Sequence, residues 1–479
     1  MDLSALIKAY DVRGVVPGQL DESIARAIGA AFVDVVGADV VGADVVGADA
    51  GGGRRIVTAH DMRETGPGLA RAFAEGAMLR GASVVEAGLA STDMLYFASG
   101  HLGLPGAMFT ASHNPAQYNG IKLCRAGAVA IGQDSGLTEI RERAQSYLER
   151  GEVEKAGSVE PAGAEQIDLL PLYAEHLRGL VDLSDIRPLT VVVDAGNGMG
   201  GFTVPAVLGD AVLPALGRGG SLRIVPLYFE LDGSFPNHEA NPLEPANLVD
   251  LQARVVAEGA DLGLAFDGDA DRCFVVDASG AAVSPSAITA LVATRELARA
   301  PGSTVIHNLI TSHAVPEIVR EHGGTPVRTR VGHSFIKAEM AREDAVFGGE
   351  HSAHYYFRDF WFADTGMLAA MHVLAALGEQ DRPLAELTAG FDRYVASGEL
   401  NSTVDDQQAR ADAVRAAFAD ETVAVDELDG LTVELSDGSW FNVRASNTEP
   451  LLRLNVEGPD DASMARVRDA ALAVIRGAS

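Results

Sequence analysis

Short apolar runs alternate with amphipathic stretches along the first three-quarters of the chain. The runs have the length and composition of buried strands and lie at 54–60, 82–88, 105–111, 189–195, 261–267 and 303–309. Alanine-rich stretches with helical spacing separate them, for example at 69–81 and 248–259. Strands that alternate with helices predict α/β layers with mainly parallel sheets. From about Tyr394 the pattern changes and predicts a smaller α+β unit.

Three shifts in composition divide the chain into four predicted domains. The shifts lie near 156–161, near 277–285 and after Leu377. The predicted domains are therefore 1–155, 156–280, 281–390 and 391–479. Their lengths are close to the ~100–200 residues expected of one domain.

A tandem repeat interrupts the first predicted domain. The unit VVGAD occurs three times in 35–49 and is followed by Ala50 and three glycines. A period of five residues fits neither a helix nor a strand and is too short for a solenoid unit. We interpret the repeat as an expansion in a surface loop, because loops tolerate insertions at small entropic cost.

Deletion of part of the repeat tests this interpretation. A variant that lacks residues 40–49 is expected to keep its activity and its melting temperature nearly unchanged, because the segment is predicted to lie outside the core. Activity assays and thermal melts of the purified variant provide the measurement. A collapse of soluble expression would contradict the interpretation.

The charge balance and the composition exclude several classes of function. Of 479 residues, 67 are acidic and 37 are basic, and a net charge of −30 repels nucleic acid. No apolar run approaches the roughly 18 residues that cross a bilayer, so no membrane association is expected. The segment MDLSALIKAYDVRG lacks the basic and apolar regions of a signal peptide. Two distant cysteines, Cys124 and Cys273, do not suggest disulfides, and a cytoplasmic protein is predicted.

The segment LGLAFDGDADRC contains the most specific candidate site. A predicted strand ends at Asp267, and Asp269 and Asp271 follow at spacings of two. Three crowded carboxylates repel one another unless a cation neutralises them, and oxygen ligands favour Mg²⁺ or Ca²⁺. An EF-hand does not fit, because Arg272 takes the place of its glycine and Ala278 that of its bidentate glutamate. An arginine beside a cation suits a phosphoryl group, whereas a solvated acidic loop is the alternative.

A serine and a histidine follow another predicted strand in GAMFTASHNPAQYNGIKL. Asn114-Pro115 starts a turn directly after Ser112 and His113, and Lys122 follows the next polar loop. One interpretation is a polar surface loop. The other is a serine that is presented for chemistry.

The segment FNVRASNTEPLLRL concentrates donors suited to an anion. Its polar residues are Arg444, Ser446, Asn447, Thr448 and Arg453. A guanidinium, hydroxyls, an amide and backbone N–H groups together make an anion cradle. Serine, asparagine and threonine also start helices, so a capped helix is an equal alternative.

The segment VFGGEHSAHYYF places Glu350, Ser352 and His354 on a predicted loop. A carboxylate accepts hydrogen bonds from two adjacent sugar hydroxyls, and a serine donates or accepts. A zinc site is the competing idea, but the HExxH spacing and cysteine ligands are missing. Upstream, AYDVRG contains Tyr10 and Arg13, which in isolation are typical of a protein surface.

A glycine pattern indicates a different chemistry. Gly196, Gly198 and Gly201 form G-x-G-x-x-G after a predicted strand, as in dinucleotide-binding proteins. The acidic residue expected about 20 positions later is poorly placed, because Glu230 and Asp232 come late. A tight strand-to-helix turn explains the glycines, and a nucleotide-dependent oxidoreductase is the less favoured alternative.

Four of these segments occur together in the order TASHNP, DGDADR, GEHSAH and RASNTEP. The combination resembles the α-D-phosphohexomutase superfamily and, within it, the bacterial phosphomannomutase/phosphoglucomutase branch. The resemblance runs from Tyr10 to about Glu457. It implies four domains around a central cleft, of which three are similar α/β/α domains with mixed sheets. The fourth, at the C-terminus, is a smaller α+β domain.

The resemblance also implies a role for each motif residue. The implied catalytic residues are Arg13, Ser112, His113, Lys122 and Arg272, with Ser112 as the phosphorylated carrier. The implied ligands of Mg²⁺ are Ser112, Asp267, Asp269 and Asp271. The implied substrate-binding residues are Tyr10, His333, Glu350, Ser352, His354, Arg444, Ser446, Asn447, Thr448 and Arg453.

The implied reaction interconverts hexose 6-phosphate and hexose 1-phosphate through phosphoserine and a 1,6-bisphosphate intermediate. Such an enzyme holds its substrate in two opposite orientations, so it needs a second anion site away from the metal. Glucose 1,6-bisphosphate or mannose 1,6-bisphosphate is the implied activator. Hexose phosphates are the implied substrates, and a monomer or a weak homodimer is expected.

The sugar loop departs from the common patterns of the superfamily. GEHSAH differs at His351 and Ala353 from the GEMSGH of the bispecific branch. It fits neither the GEQSGH of glucosamine mutases nor the GEES-type loop of other phosphoglucomutases. A loop that reads the 3- and 4-hydroxyls separates mannose and glucose poorly, since these sugars differ at carbon 2. We predict that both react, with a phosphoglucosamine mutase and a non-catalytic sugar-phosphate-binding protein as alternatives.

Overall fold

The computed structural model describes residues 2–7, 11–36, 54–156, 163–209, 222–445 and 451–477. Most of the repeat, Tyr10 and the residues 446–448 of the predicted cradle lie outside the described residues. Within these ranges, no helix combines the length and the apolar character that a membrane span requires.

The first domain contains a mixed sheet in the order β1-β5-β4-β2-β3-β7, with β6 paired to β5. Strands β2, β3, β4 and β7 run parallel, and β5 is antiparallel to its neighbours. The elements are β1 (Val12–Val15), α1 (Glu22–Val36), β2 (Arg54–His60), α2 (Gly66–Leu79), β3 (Ala82–Leu89), α3 (Thr92–Leu102), β4 (Gly106–Phe109), β5 (Tyr118–Arg125), β6 (Val129–Ala130), α4 (Leu137–Arg150) and β7 (Ala164–Gln166).

The second domain repeats the theme in the order β12-β11-β10-β8-β9. Strands β8, β9 and β10 are parallel, and β11 and β12 are antiparallel to their neighbours. The elements are α5 (Leu170–Leu180), β8 (Leu189–Asp194), α6 (Gly200–Leu208), β9 (Leu222–Leu227), α7 (Val249–Glu258), β10 (Leu262–Phe266), β11 (Cys273–Asp277) and β12 (Ala282–Val283).

The third domain has the sheet order β14-β13-β15-β16-β17, again with three parallel strands and an antiparallel edge. The elements are α8 (Pro285–Arg299), β13 (Thr304–Asn308), α9 (Ala314–Glu321), β14 (Thr325–Thr329), α10 (His333–Glu343), β15 (Phe347–Gly349), β16 (Tyr355–Phe357), β17 (Ala363–Asp364), α11 (Gly366–Gly378) and α12 (Leu384–Thr388).

The fourth domain differs because its sheet, β18-β22-β21-β20-β19, is antiparallel throughout. Two helices accompany it, as the α+β prediction requires. The elements are β18 (Val395–Thr403), α13 (Gln407–Ala417), β19 (Thr422–Asp426), β20 (Leu431–Leu435), β21 (Trp440–Ala445), β22 (Leu451–Gly458) and α14 (Asp461–Arg476).

The six predicted strands all overlap observed ones, and burial explains why they were recognisable. Every residue of β4 and of β10 is buried, which is typical of parallel strands covered on both faces. On β2, Ile56 and Val57 belong to different hydrophobic clusters, since alternate side chains point to opposite faces. The helices α1, α2 and α4 contribute to one cluster and α3 to the other, so the domain has three layers.

One hydrophobic cluster extends through the first three domains, whereas the fourth domain has a cluster of its own. One cluster includes buried side chains from all three mixed sheets and from α11. All residues of α11 are buried, as expected of a helix that is apolar on every side. The side chains of the fourth domain form a separate cluster.

A buried carboxylate joins the first three domains. Asp93 accepts hydrogen bonds from Tyr173 Oη at 2.6 Å and from Thr365 Oγ1 at 2.7 Å, besides a bond from Ser91 Oγ. Burial raises the pKa of Asp93 to about 6, although the three hydroxyl donors oppose the shift. The residue before it, Thr92, donates to Asp269 Oδ2 at 2.6 Å. The junction of the first three domains is therefore directly connected to the acidic cluster, which consists of Asp267, Asp269 and Asp271.

Candidate active site

The serine loop (110–117) and the acidic loop (267–272) meet at the carboxyl ends of strands β4 and β10, which belong to two mixed sheets. Strand β4 leads into Ser112, and β10 leads into Asp267. Ser112 Oγ donates a hydrogen bond to Asp267 Oδ2 at 2.9 Å. In α/β proteins ligands bind at this end of the sheet. The two strongest sequence motifs therefore form one site.

The Ser112 backbone adopts a conformation that needs support. Its φ is +50°, in the left-handed region that non-glycine residues seldom occupy. The Ser112 N–H donates to Thr110 Oγ1 at 2.9 Å. On the other side, Gly268 packs so closely that a Cβ there would lie 2.5 Å from the Ser112 carbonyl oxygen. The hydroxyl is thus presented on a tightly held turn.

Three aspartates form a candidate metal site. The side-chain oxygens of Asp267, Asp269 and Asp271 lie within 4.8 Å of one another, and all three residues are buried. Asp269 Oδ1 and Asp271 Oδ1 are buried without a hydrogen-bond partner among the described residues. Such orphaned carboxylate oxygens are costly unless a cation binds them. This all-oxygen set fits a hard divalent cation.

Two cations, Lys122 and Arg272, offset part of the negative charge of the three carboxylates. Lys122 Nζ donates to Asp269 Oδ2 at 2.7 Å and to Asp271 Oδ2 at 2.6 Å. Arg272 Nε donates to Asp267 Oδ2 at 2.9 Å, and its Nη2 lies 3.4 Å from Ser112 Oγ. Burial opposes the charge of Lys122, but the two aspartates outweigh it and raise the pKa of Lys122 well above its usual value. Burial raises the pKa of Asp267 to about 7.

His113 and Arg13 complete the serine loop. His113 Nδ1 lies 3.3 Å from Ser112 Oγ. Burial, together with the charges of Arg272 and Arg13, lowers the pKa of His113 well below its usual value and so disfavours its protonated form. Arg13 Nη1 donates to the carbonyl of Ala111 at 3.0 Å and to Asn114 Oδ1. Arg13 therefore contacts the loop on both sides of Ser112.

The predicted sugar loop lies beside the acidic cluster. It connects β15 and β16, and Ser352 Oγ donates to Glu350 Oε2 at 2.6 Å. His354 Nε2 lies 3.6 Å from Asp271 Oδ1, and His354 Nδ1 lies 3.4 Å from Glu350 Oε2. Burial disfavours the charge of His354, but Glu350 and Asp271 raise its pKa above the usual value. His333, at the start of α10, has its pKa lowered to about 4 by burial and by Lys337.

The arginines of the predicted cradle are on the fourth domain. Arg444 on β21 and Arg453 on β22 are directly paired across the two strands. Among the described residues, no hydrogen bond or ion pair joins either arginine to the acidic cluster. The structure therefore brings the motifs of the first three domains into one centre and leaves the cradle arginines as a separate group.

Family comparisons cover most of the chain. Three families described as phosphoglucomutase/phosphomannomutase alpha/beta/alpha domains match the chain: domain I at residues 4–150, domain II at 171–280 and domain III at 284–394. The phosphoglucomutase/phosphomannomutase C-terminal domain matches residues 399–474. The chain belongs to the phosphoglucomutase/phosphomannomutase family. The predicted superfamily and the predicted four-domain fold are thereby confirmed.

Individual members of the phosphoglucomutase/phosphomannomutase family match over nearly their full length. A protein named phosphohexose mutases from Xanthomonas campestris pv. campestris is 40% identical over 466 residues, 96% of each chain. The phosphomannomutase of Salmonella typhimurium is 38% identical over 464 residues, again 96% of each chain. Among solved structures, a phosphoglucomutase/phosphomannomutase family protein from Burkholderia thailandensis has a TM-score of 0.85 at 34% identity. The alignment covers 100% of this chain and 99% of that one.

Sequence reasoning missed several buried residues of this site. Arg63 donates four hydrogen bonds to the backbone of the serine loop, and its side chain is 1% exposed. Lys337 Nζ lies 2.7 Å from Asp364 Oδ1 and 3.5 Å from the centre of the Tyr96 ring. Polar residues directly after β2, in HDMRE, were the available signal for Arg63. For Lys337 and Asp364, the sequence offered no comparable signal.

The G-x-G-x-x-G segment is explained by packing. A Cβ on Gly198 would lie 2.7 Å from the carbonyl oxygen of Gly268, and one on Gly201 would lie 2.2 Å from that of Phe229. The turn between β8 and α6 is thus pressed against the acidic loop. Gly198 supports Gly268, which in turn supports Ser112. This observation agrees with a tight turn rather than a dinucleotide site.

Proposed function

We propose that this chain is an intramolecular phosphotransferase that interconverts hexose 6-phosphate and hexose 1-phosphate, with mannose and glucose as the sugars. The observation that carries the proposal is the position of Ser112 Oγ, 2.9 Å from Asp267 and beside Arg272. The names of the relatives from Xanthomonas and Salmonella support the same class of reaction.

The proposed cycle starts with a phosphoryl group on Ser112 Oγ. A free hydroxyl of the sugar phosphate attacks the phosphorus, the bond to Ser112 Oγ breaks, and the hydroxyl proton passes to Ser112 Oγ. The resulting 1,6-bisphosphate turns round in the site. Its other phosphate then returns to Ser112 Oγ, which leaves the isomeric monophosphate and a phosphorylated enzyme. Glucose 1,6-bisphosphate or mannose 1,6-bisphosphate would phosphorylate an enzyme that has lost this group.

Charge compensation is the main task of the acidic centre. A phosphorylated serine carries a charge of about −1.5 to −2. Asp267, Asp269, Asp271 and the phosphorylated Ser112 would hold Mg²⁺, which when bound supplies positive charge to the phosphoryl group. Arg272 and Lys122 add fixed positive charge in a buried setting, where electrostatic interactions are stronger than in water.

Proton transfer falls to the groups beside Ser112. Burial and nearby arginines lower the pKa of His113, so its imidazole is a weak base that would relay the hydroxyl proton to Ser112 Oγ, 3.3 Å away, rather than retain it. Lys122 is held protonated by Asp269 and Asp271 and is suited to stabilise negative charge. Catalysis of phosphoryl transfer depends on such positioning more than on covalent help.

Substrate binding is assigned to the remaining motifs. Glu350 would accept hydrogen bonds from sugar hydroxyls and Ser352 would donate or accept them, and His354 lies 3.6 Å from Asp271. Arg444 and Arg453 would hold the phosphate that does not react. Because the two phosphates exchange places during the cycle, one cradle serves both orientations.

Two coupled assays test the proposal. Purified protein is expected to convert mannose 1-phosphate and glucose 1-phosphate at comparable rates with Mg²⁺ and a trace of glucose 1,6-bisphosphate.

EDTA is expected to abolish turnover and added Mg²⁺ to restore it, because unneutralised carboxylates repel the phosphoryl group. Turnover of glucosamine 1-phosphate alone would overturn the assigned sugars. No turnover of the three compounds by protein phosphorylated at Ser112 would overturn the proposed function.

A further inference from the structure

A single glutamate lies between the two arginines of the predicted cradle. Glu399 Oε2 is 3.5 Å from Arg444 Nη2, and Glu399 Oε1 is 3.4 Å from Arg453 Nη1. The two arginines stand opposite each other on β21 and β22, an arrangement in which like charges repel. Glu399 belongs to β18, on the other side of β22, and its charge offsets this repulsion.

The two arginines keep capacity for a second anion. The Nε atoms of Arg444 and Arg453 are buried without a hydrogen-bond partner among the described residues. The distances from the Nη atoms of the two arginines to Glu399, 3.5 Å and 3.4 Å, exceed the about 2.7–2.9 Å of a strong charged hydrogen bond. A phosphate that forms bidentate contacts with a guanidinium would therefore bind more strongly than Glu399 does.

A neighbouring carboxylate, Asp429, is held in a different way. Its Oδ2 accepts a hydrogen bond from the Val331 N–H at 3.1 Å and lies 3.6 Å from Arg444 Nη1. Val331 is in the third domain, so Asp429 connects two domains. In the described part of the chain, the ion pairs of Glu399 are those with the two arginines, and its side chain is 26% exposed. Glu399 is thus the carboxylate that is free to withdraw.

We propose that Glu399 competes with the non-reacting phosphate of the substrate for Arg444 and Arg453. This inference rests on the proposed function, in which these arginines hold that phosphate. A carboxylate within ion-pair distance of both guanidiniums repels an arriving phosphate and replaces it when it leaves. Glu399 thereby limits how tightly the cradle holds each phosphate.

Competition between Glu399 and phosphate would help the bisphosphate to reorient in the proposed cycle. The bisphosphate intermediate has to release one phosphate from the cradle, turn round and place the other phosphate there. A cradle that bound phosphate as tightly as possible would slow this step, because tight ground-state binding does not accelerate turnover. When the phosphate leaves, the Glu399 carboxylate pairs with Arg444 and Arg453 in its place.

The test replaces the charge and keeps the shape. Glu399→Gln is expected to bind inorganic phosphate about tenfold more tightly, since an anionic competitor is removed. Isothermal titration calorimetry with EDTA present measures this affinity at the cradle, away from a loaded metal site. In steady-state assays with glucose 1-phosphate, KM and kcat are expected to fall together. More bisphosphate should be found on the enzyme after acid quenching.

Two further variants make the result specific. Glu427→Gln removes a charge on the same domain from an exposed residue whose partner is Arg415, 2.8 Å away, and is expected to change nothing. The effect of Glu399→Gln should vanish when Arg444→Met and Arg453→Met are both present, because the two contested cations are then gone. Thermal melts verify that each variant is folded.

The opposite outcomes are informative. Unchanged or weaker phosphate binding by folded Glu399→Gln would overturn the inference, and the residue would then merely position the arginines. An effect that persists when both arginines are replaced by methionine would overturn it as well. The calorimetric result does not depend on turnover. If wild-type protein isomerises no hexose phosphate while Glu399→Gln still binds phosphate more tightly, the proposed function fails and the competition stands.

Discussion

Replacement of Ser112 by alanine is expected to reduce turnover of hexose phosphates by at least about 10³-fold, because the proposed phosphoryl carrier is lost. The hydroxyl donates to Asp267 and lies 3.4 Å from Arg272 and 3.3 Å from His113, which places it between the acidic cluster and His113. The fold should survive, because alanine keeps the Cβ and the supporting contacts of the backbone. Coupled assays measure the loss, and a thermal melt measures the stability.

A second serine provides the control. Ser146 is exposed on α4 of the same domain, so Ser146→Ala should retain full activity. Mass spectrometry of wild-type protein treated with glucose 1,6-bisphosphate should detect a phosphoryl group that is absent from Ser112→Ala. Full activity of folded Ser112→Ala would remove the phosphoserine from the mechanism altogether.

Replacement of Arg63 by methionine is expected to lower the free energy of unfolding more than Ser112→Ala does. Its guanidinium donates to four backbone carbonyls, and Nε lies 3.3 Å from Asp61 Oδ2. The accepting carbonyls belong to Ser112, Asn114, Pro115 and Tyr118. Loss of one partner of a buried pair costs about 3–5 kcal/mol. Urea denaturation measures the free energy of unfolding, and activity should fall as well because the serine loop loses its anchor.

Two variants separate stability from positioning. Burial already raises the pKa of Asp61 against the effect of Arg63, so the carboxylate would be uncompensated in Arg63→Met. Addition of Asp61→Asn should therefore recover part of the stability but not the activity. Arg71→Met, an exposed arginine on α2, should change neither. Wild-type stability and activity in Arg63→Met would show that the serine loop holds its conformation without the guanidinium.

The sequence by itself determined the architecture and the chemical groups of the centre. The buried strands were recognisable because parallel strands covered on both faces are continuous apolar runs, as in β4 and β10. The motif residues Ser112 and Asp267 follow such strands directly, and the carboxyl ends of parallel strands carry the functional loops. Local order along the chain was therefore enough to place them. The family and the four-domain fold were predicted correctly from the resemblance of four ordered motifs, TASHNP, DGDADR, GEHSAH and RASNTEP, to the α-D-phosphohexomutase superfamily.

Only the tertiary structure decided which polar groups meet across the domains. Arg63 supports the loop of Ser112, Thr92 donates to Asp269, and Glu399 lies between two arginines of neighbouring strands. Hydrophobic periodicity determines which face of an element is buried. It does not determine which distant donor reaches a buried carboxylate, because that depends on how the packed domains are oriented. The reason for glycine at 198 and 201 was likewise not predictable from the sequence, because it depends on the backbone of Gly268 and Phe229 that packs against these positions.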